Sequence, residues 1–375
     1  MVNHLGNWKN GELGDFVTLK RGFDLPQQKR EDGQVPIFSS SGITGTHSTA
    51  MVKAPGVITG RYGTIGEVFY AAKDFWPLNT TLFVEDFHGN DAKFIYYFLK
   101  TLEWSKFTSA SAVPGINRNT VHKEIVSLPD VETQRRIAST LSMFDEKIKI
   151  NTEINDNLEQ QAQSYFQELF VDNASPEWTT GTISDLGTVV GGSTPSKAKP
   201  EYYTESGIAW ITPKDLSINK SKFVSHGEND ITELGLRNSS ASLMPEGTVL
   251  FSSRAPIGYI AIAAGEVTTN QGFKSVVPKP EIGTPFVYFF LKNTLPVIEG
   301  MASGSTFKEV SGSTMKNVSA VIPDAETLAK FSDFCAPIFA QQRILEEQNQ
   351  SLATLRDNLL PKLMSGEIDV SAVQL

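Results

Sequence analysis

The sequence predicts an α+β protein of two β-rich domains joined by two long helices, which form an antiparallel coiled coil within a pseudo-twofold internal repeat. Three observations predict it. Distinctive motifs recur about 190 residues apart, the spacing of a duplicated domain rather than of a short solenoid repeat. Between them lie short β-branched and aromatic runs cut by Gly, Pro, Ser and Asn, as in β-rich domains. Each β-rich stretch is then followed by a long amphipathic segment with apolar residues at alternating steps of three and four.

The repeat divides the chain into residues 1–130, a first β-rich domain; 131–172, a central helix; 173–323, a second β-rich domain; and 324–375, a distal helix with a C-terminal tail. Leu13-Gly-Asp15 is matched with Leu186-Gly187, and Phe94-Ile-Tyr-Tyr-Phe-Leu-Lys100 with Phe286-Val-Tyr-Phe-Phe-Leu-Lys292. Val126-Ser-Leu-Pro-Asp-Val-Glu-Thr133 is matched with Ala320-Val-Ile-Pro-Asp-Ala-Glu-Thr327. Strands are expected at runs such as residues 56–60, 66–70 and 247–251, and a helix in each domain near residues 92–102 and 285–295.

Pro-Asp-x-Glu-Thr is a helix start, with Asp130 or Asp324 as cap and a glutamate in the first turn. The expected pairing stripe of the central helix is Ile137, Leu141, Phe144, Ile148, Leu158, Tyr165 and Leu169, with Asn151 and Asn155 on the same seam. Buried asparagines cost stability but fix register. The distal helix continues the stripe with Ile338, Leu345, Leu352, Leu355 and Leu359, and Pro337 inside it predicts a kink or a restart. Helices of about forty residues would each be roughly 60 Å long. Paired antiparallel, they would hold the two domains at opposite ends of a rod.

The net charge of −9 over 375 residues first argues against nucleic acid. Its distribution weakens that objection. Residues 1–130 carry 13 acidic and 13 basic side chains, and residues 173–323 carry 13 and 12. Residues 131–172 and 324–375 carry 8 and 4 each, so nearly all the surplus is on the helical segments. A basic face on either β-rich domain is therefore permitted. The single cysteine, Cys335, excludes an internal disulfide and a thiolate metal cluster. No secretory signal and no membrane-length apolar run is recognised, so a cytoplasmic protein is expected.

Enzyme signatures are missing. There is no Gly-Lys dipeptide and hence no P-loop, the glycines of 60–66 have the wrong spacing for a dinucleotide loop, and no Gly-x-Ser-x-Gly elbow occurs. No Asn-Pro-Pro-aromatic stretch suggests an amino-methyltransferase. His4, His47, His88, His122 and His226 are isolated, and Asp145-Glu-Lys147 reads as surface charge on a helix. No catalytic residue and no metal site is assigned.

The remaining chemistry is polar loops suited to DNA. In the first domain the candidates are Lys20, Arg21, Ser40, Ser41, Thr44, Arg61, Tyr62, Asn117 and Arg118. In the second they are Ser193, Thr194, Lys214, Ser253, Arg254, Asn270, Gln271, Lys274 and Lys308. Arginine can contact guanine bidentately and Asn or Gln can do so with adenine, while Ser, Thr and Lys suit phosphates. Arg61 and Arg254 stand out because each sits in a Gly- or Ser-flanked turn at the corresponding point of its repeat. The residues alone leave a second reading open, a coiled-coil interaction scaffold whose β-rich heads bind proteins or glycans.

The chain resembles the specificity subunits of type I restriction-modification enzymes. The resemblance rests on Pro129-Asp-Val-Glu-Thr-Gln-Arg-Arg-Ile137, Asp145-Glu-Lys-Ile148, Asn157-Leu-Glu-Gln160 and Phe166-Gln-Glu-Leu-Phe170. In the second half it rests on Gly191-Gly-Ser-Thr-Pro195, Trp210-Ile-Thr-Pro-Lys-Asp-Leu216, Phe251-Ser-Ser-Arg-Ala-Pro-Ile-Gly258 and Thr269-Asn-Gln-Gly272. It covers almost the whole chain. It implies that the two β-rich domains are target-recognition domains, each reading half of a bipartite asymmetric site in double-stranded DNA. It also implies that the helices set the unspecified gap and dock two methyltransferase subunits, which methylate adenine, and that two restriction subunits can join. S-adenosylmethionine, ATP and magnesium would then belong to those partners, with no cofactor in this chain. The distal helix departs from the pattern, because Ala325-Glu-Thr-Leu-Ala-Lys330 lacks the Gln-Arg-Arg-Ile of residues 134–137.

Overall fold

The computed structural model describes residues 8–108, 114–304 and 308–370. The chain forms two compact units, residues 1–148 with 350–375 and residues 149–349. Their boundary falls inside both long helices. Each unit is thus a β-rich body together with half of each helix. Among the described residues no helix is long and apolar enough to cross a membrane. His4 lies outside the described residues.

Both units open on the same device. A short entry strand pairs antiparallel with the strand that precedes the long helix: Lys9–Glu12 with Ile125–Leu128, and Thr179–Thr182 with Ser319–Ile322. A helical turn follows, Leu13–Phe16 or Ile183–Leu186, whose third residue folds back on the chain. The Asp15 carboxylate accepts the Glu12 N–H at 2.9 Å, and Asp185 accepts the Thr182 N–H at 2.8 Å. A Cβ on Gly11 or Gly181 would fall 2.9 or 2.7 Å from that carboxylate oxygen, so the close approach favours glycine at both places. This capping sets the register of the repeat. Leu13 corresponds to Ile183, both fully buried. The expected match of Leu13-Gly with Leu186-Gly187 is therefore wrong by three residues: it followed a dipeptide, whereas the equivalent groups are the capping aspartates.

In the first unit a four-stranded sheet runs Thr18–Arg21, Thr81–Asp86, Gly56–Gly60, Val68–Ala71, all neighbours antiparallel. A three-stranded sheet orders Gly42–His47, Val35–Ser39 and Trp76–Pro77. The second unit repeats the antiparallel frame as Gly187–Gly191, Lys274–Pro278, Val249–Ser253 and Ile257–Ala263, and adds Phe223–Val224 parallel to the last. Its smaller sheet is Tyr203–Thr204, Asn229–Ile231, Ile208–Ile211 and Thr268–Thr269. The recurring Phe-Leu-Lys motif lies on the helices Ala92–Lys100 and Thr284–Gly300, which pack on these sheets.

The central helix is Val131–Gln167, extended by a π-helical turn at Glu168–Asp172, and the distal helix is Ala325–Met364. Asp130 caps the first by accepting the Thr133 N–H at 3.0 Å, and Asp324 caps the second through Thr327 at 2.8 Å. No restart occurs at Pro337, and the distal helix passes through it unbroken. Proline removes one helix hydrogen bond. Buried Phe331, Cys335, Ile338 and Phe339 hold the segment on both sides of it.

The helix halves pair antiparallel within each unit. In the first, Ile137 and Leu141 share a core with Leu360, Leu363 and Met364, and Asp145 accepts hydrogen bonds from Tyr97 Oη and Arg356 Nη1, the latter at 2.6 Å. In the second, the fully buried Asn151 donates to Asn349 Oδ1 at 2.9 Å, and Asn155 donates to the Gln342 carbonyl at 3.4 Å. Phe144, Ile148, Leu158, Leu352 and Leu359 are half-buried, and Ile338 and Leu345 are buried. Leu355 is a correction, being 51% exposed. The seam runs through Leu352, Arg356 and Leu359, so Leu355 lies one residue, about 100° of helix, off it.

One polar cluster breaks the apolar interior of the second unit. Lys222, 6% exposed, sends its ammonium to Glu159 Oε2 at 2.7 Å and Gln342 Oε1 at 2.8 Å, with the Phe339 ring 3.6 Å beneath. Lys292 reaches the other Glu159 oxygen at 2.5 Å. Glu346 accepts the backbone N–H groups of Lys222 and Phe223 at 2.7 and 3.0 Å.

Candidate nucleic-acid interface

Each unit presents a cluster at the end of its middle strand. In the first, strand Gly56–Gly60 delivers Arg61 into a turn clamped from both sides. The Arg61 N–H donates to Thr80 O at 2.8 Å, and Ile116 N–H donates to Arg61 O at 3.0 Å. The Arg61 guanidinium lies 4.5 Å above the Tyr62 ring, and its Nε donates to Ile116 O at 3.4 Å. A side chain held by a ring and a carbonyl is pre-organised, and its two terminal nitrogens stay open to a ligand. Asn117 caps the short helix Arg118–His122 by accepting the Asn119 N–H at 3.0 Å. Arg21, Arg61, Tyr62, Asn117 and Arg118 line one open cleft, and none of the described residues in its lining is acidic. Arg21 has a loose partner outside it, Asp24 at 3.6 Å.

The hairpin of Val35–Ser39 and Gly42–His47 brings its tip to the same turn. A Cβ on Gly60 would stand 1.8 Å from Thr64 O and 3.2 Å from Ser40 Cβ, so glycine here admits the Thr64 carbonyl, with the hairpin tip close beside it. Ser41 and Thr44 are exposed on that hairpin. Lys20 stands outside the cleft, paired with Glu85 at 2.5 Å.

The second unit builds the equivalent place differently. The Ser253 N–H donates to Gly272 O at 2.7 Å and Val310 N–H donates to Ser253 O at 2.9 Å, the same clamp that holds Arg61. Ser253 is thus the counterpart of Arg61, and Arg254 the counterpart of Tyr62. The expected equivalence of Arg61 with Arg254 is wrong by one residue, because the β-ladder rather than the flanking Gly and Ser sets the alignment. Ser253 as a DNA contact is also corrected: it is 0% exposed and its hydroxyl donates to Gly272 O at 3.1 Å.

Arg254 Nη1 faces Glu309 Oε2 at 3.5 Å, and Lys274 Nζ faces Glu309 Oε1 at 3.5 Å. Lys308 is exposed beside them. Gln271 accepts from the Thr194 hydroxyl, and its carbonyl receives Lys274 Nζ at 3.5 Å. Asn270 Oδ1 is occupied by the Gly272 N–H at 2.8 Å, which fixes a turn. Ser193 is tied by its backbone, its N–H donating to Thr269 O and its carbonyl accepting from Trp210 Nε1. Lys214 pairs with Glu228 at 2.5 Å on the helix Pro213–Ile218. Arg254, Lys274, Gln271 and Thr194 are thereby brought together, whereas Lys214 has its own acid. Sequence reasoning missed Glu309, a lone acid with no motif around it.

Two further titratable groups, His122 and Cys335, are held by the fold. His122 accepts the Leu19 N–H at 2.9 Å, and burial, then Arg118 and His88, lower its pKa. Burial pushes the Cys335 thiol up to about 12. Among the described residues no three His, Cys, Asp or Glu side chains cluster to hold a metal.

The model of the type I restriction modification DNA specificity domain matches the chain twice, over residues 6–160 and 176–355. The chain belongs to that family. Each match covers one β-rich body and most of the helix after it. Among its type I relatives, the specificity subunit of the restriction enzyme MjaIX of Methanocaldococcus jannaschii is 38% identical over 194 residues, 49% of this chain and 45% of that protein. The matched stretch thus spans under half of that relative's length. The HindI specificity subunit of Haemophilus influenzae is 24% identical over 347 residues, 72% of this chain and 75% of its own. In three dimensions the crystal structure of a type I S subunit from M. genitalium superposes with a TM-score of 0.63 at 18% identity, covering 97% of both chains, which shows a shared fold.

Proposed function

We propose that this chain is the non-catalytic DNA-specificity subunit of a type I restriction-modification complex. Residues 1–130 and 173–323 act as target-recognition domains for the two halves of a bipartite asymmetric site. Residues 131–172 and 324–375 act as spacer helices that set the gap and dock two methyltransferase subunits. Two restriction subunits complete the nuclease form. S-adenosylmethionine, ATP and magnesium are assigned to those partners, and the cytoplasm is the site of action.

The observation that carries this reading is one strand-end frame built twice with different side chains. The frame holds Arg61 over Tyr62 in one unit and Arg254 against Glu309 in the other. Guanidinium groups at the end of a rigid strand suit guanine or phosphate. Unlike groups on like frames suit unlike half-sites. Adenine-methylation sequencing of a host with and without the gene tests this, provided that the locus also encodes a methyltransferase. One bipartite methylated motif should disappear on deletion, and the reading fails if the motif set is unchanged.

A further inference from the structure

Resting on that reading, we propose that Glu309 occupies the place of a DNA phosphate in the second recognition domain, competing with the backbone for Arg254 and Lys274. The carboxylate has one oxygen 3.5 Å from each cation. Charge-assisted contacts at their best are about 2.7–2.9 Å long, so both contacts are loose. Arg254 and Glu309 are 35% and 37% exposed, which opens that edge of the group to an incoming anion, while Lys274, 16% exposed, lies deeper. Two cations flanking one small anion, with Lys308 exposed next in the chain, is the charge arrangement of a phosphate site already holding a weak internal anion.

The first domain shows what the acid changes. The cross-strand pair Arg254–Glu309 stands where Tyr62 pairs with Gly115. A Cβ on Gly115 would fall 2.2 Å from the Tyr62 ring, so the ring occupies the space over that glycine. Among the described residues no acid faces Arg61 in its cleft, although Asp24 partners Arg21 at its edge. The first domain therefore offers Arg61 unopposed to any duplex. The second requires each phosphate to displace Glu309, which lowers non-sequence-specific attraction and leaves base contacts a larger share of its affinity.

The test uses Glu309→Gln in the full chain assembled with its methyltransferase subunits. Binding to a random-sequence duplex and to the methylated site is measured over a salt series. Glu309→Gln should bind the random duplex about three- to fivefold more tightly at low salt, as expected for removal of one exposed ion-pair partner. Its salt slope should steepen by about 0.9, the value for one further phosphate contact. The ratio of specific to random binding should fall. Arg254→Gln added to Glu309→Gln should return the slope to that of the wild type, and matched melting curves would show that both variants fold. Unchanged affinity and slope in Glu309→Gln, or weaker binding to both duplexes, overturns the proposal while leaving the specificity reading intact. A wild-type complex that binds neither duplex overturns both.

Discussion

Glu159→Ala is expected to destabilise the second unit by about 3–5 kcal/mol, the cost of removing one partner of a buried ion pair. Glu159 accepts from Lys222 and Lys292 together, so its loss strands a buried ammonium and frees a half-buried one. Burial works to raise the Glu159 carboxyl, but the two ammonium groups outweigh it and hold the group below its ordinary value. Burial likewise pushes Lys222 down to about 8, against the pull of Glu159. A lysine whose folded pKa lies below its unfolded one penalises the folded state at low pH, and the penalty is relieved as pH rises between the two values. Wild-type stability relative to Lys222→Met should therefore climb from pH about 8 to 10.5. Denaturant melts of the wild type and both variants across that window check both statements. A Glu159→Ala loss below 1 kcal/mol, or a flat pH difference, would mean that the cluster is solvated.

Arg61→Ala is expected to relax or abolish recognition of one half-site, by roughly 1–3 kcal/mol if the guanidinium contacts a base edge. Arg61 has a stronger case than any other candidate. Its backbone is fixed on both sides, its guanidinium sits 4.5 Å over the Tyr62 ring, and no described residue lining its cleft is acidic. Half-site substitution series should show lost discrimination at one or two positions of one half only. A uniform loss across all sequences with a shallower salt dependence would assign Arg61 to phosphate.

Much of the architecture is legible because it rests on local chemistry. Asp130 and Asp324 announce their helices because a short acidic side chain satisfies exposed N–H groups wherever it stands. The Phe-Leu-Lys runs mark equivalent helices because both bury the same aromatic face. Register within the repeat is less legible. Leu186-Gly187 resembles Leu13-Gly as text, but the groups that matter are Asp15 and Asp185, which fix Leu13 opposite Ile183.

The sites depend on long-range pairing, which a single sequence does not display. Arg61 and Arg254 both follow a strand, yet the ladder puts Ser253 in the place of Arg61 and buries it. Glu309 meets Arg254 from 55 residues away, and Lys222 meets Glu159 from 63. Leu355 lies off the seam because a charged residue, Arg356, carries it there, answering Asp145. Periodicity counts apolar residues and cannot see an ion pair take a core position.

Adenine methylation of a randomised duplex library by the assembled complex separates one frame with unlike hands from two equivalent domains. Two short specified blocks, unlike in sequence and separated by a fixed unspecified gap, are expected, with Arg61→Ala blurring one block and leaving the other sharp. A single contiguous motif, two identical inverted blocks, or blurring of both blocks by Arg61→Ala would contradict it.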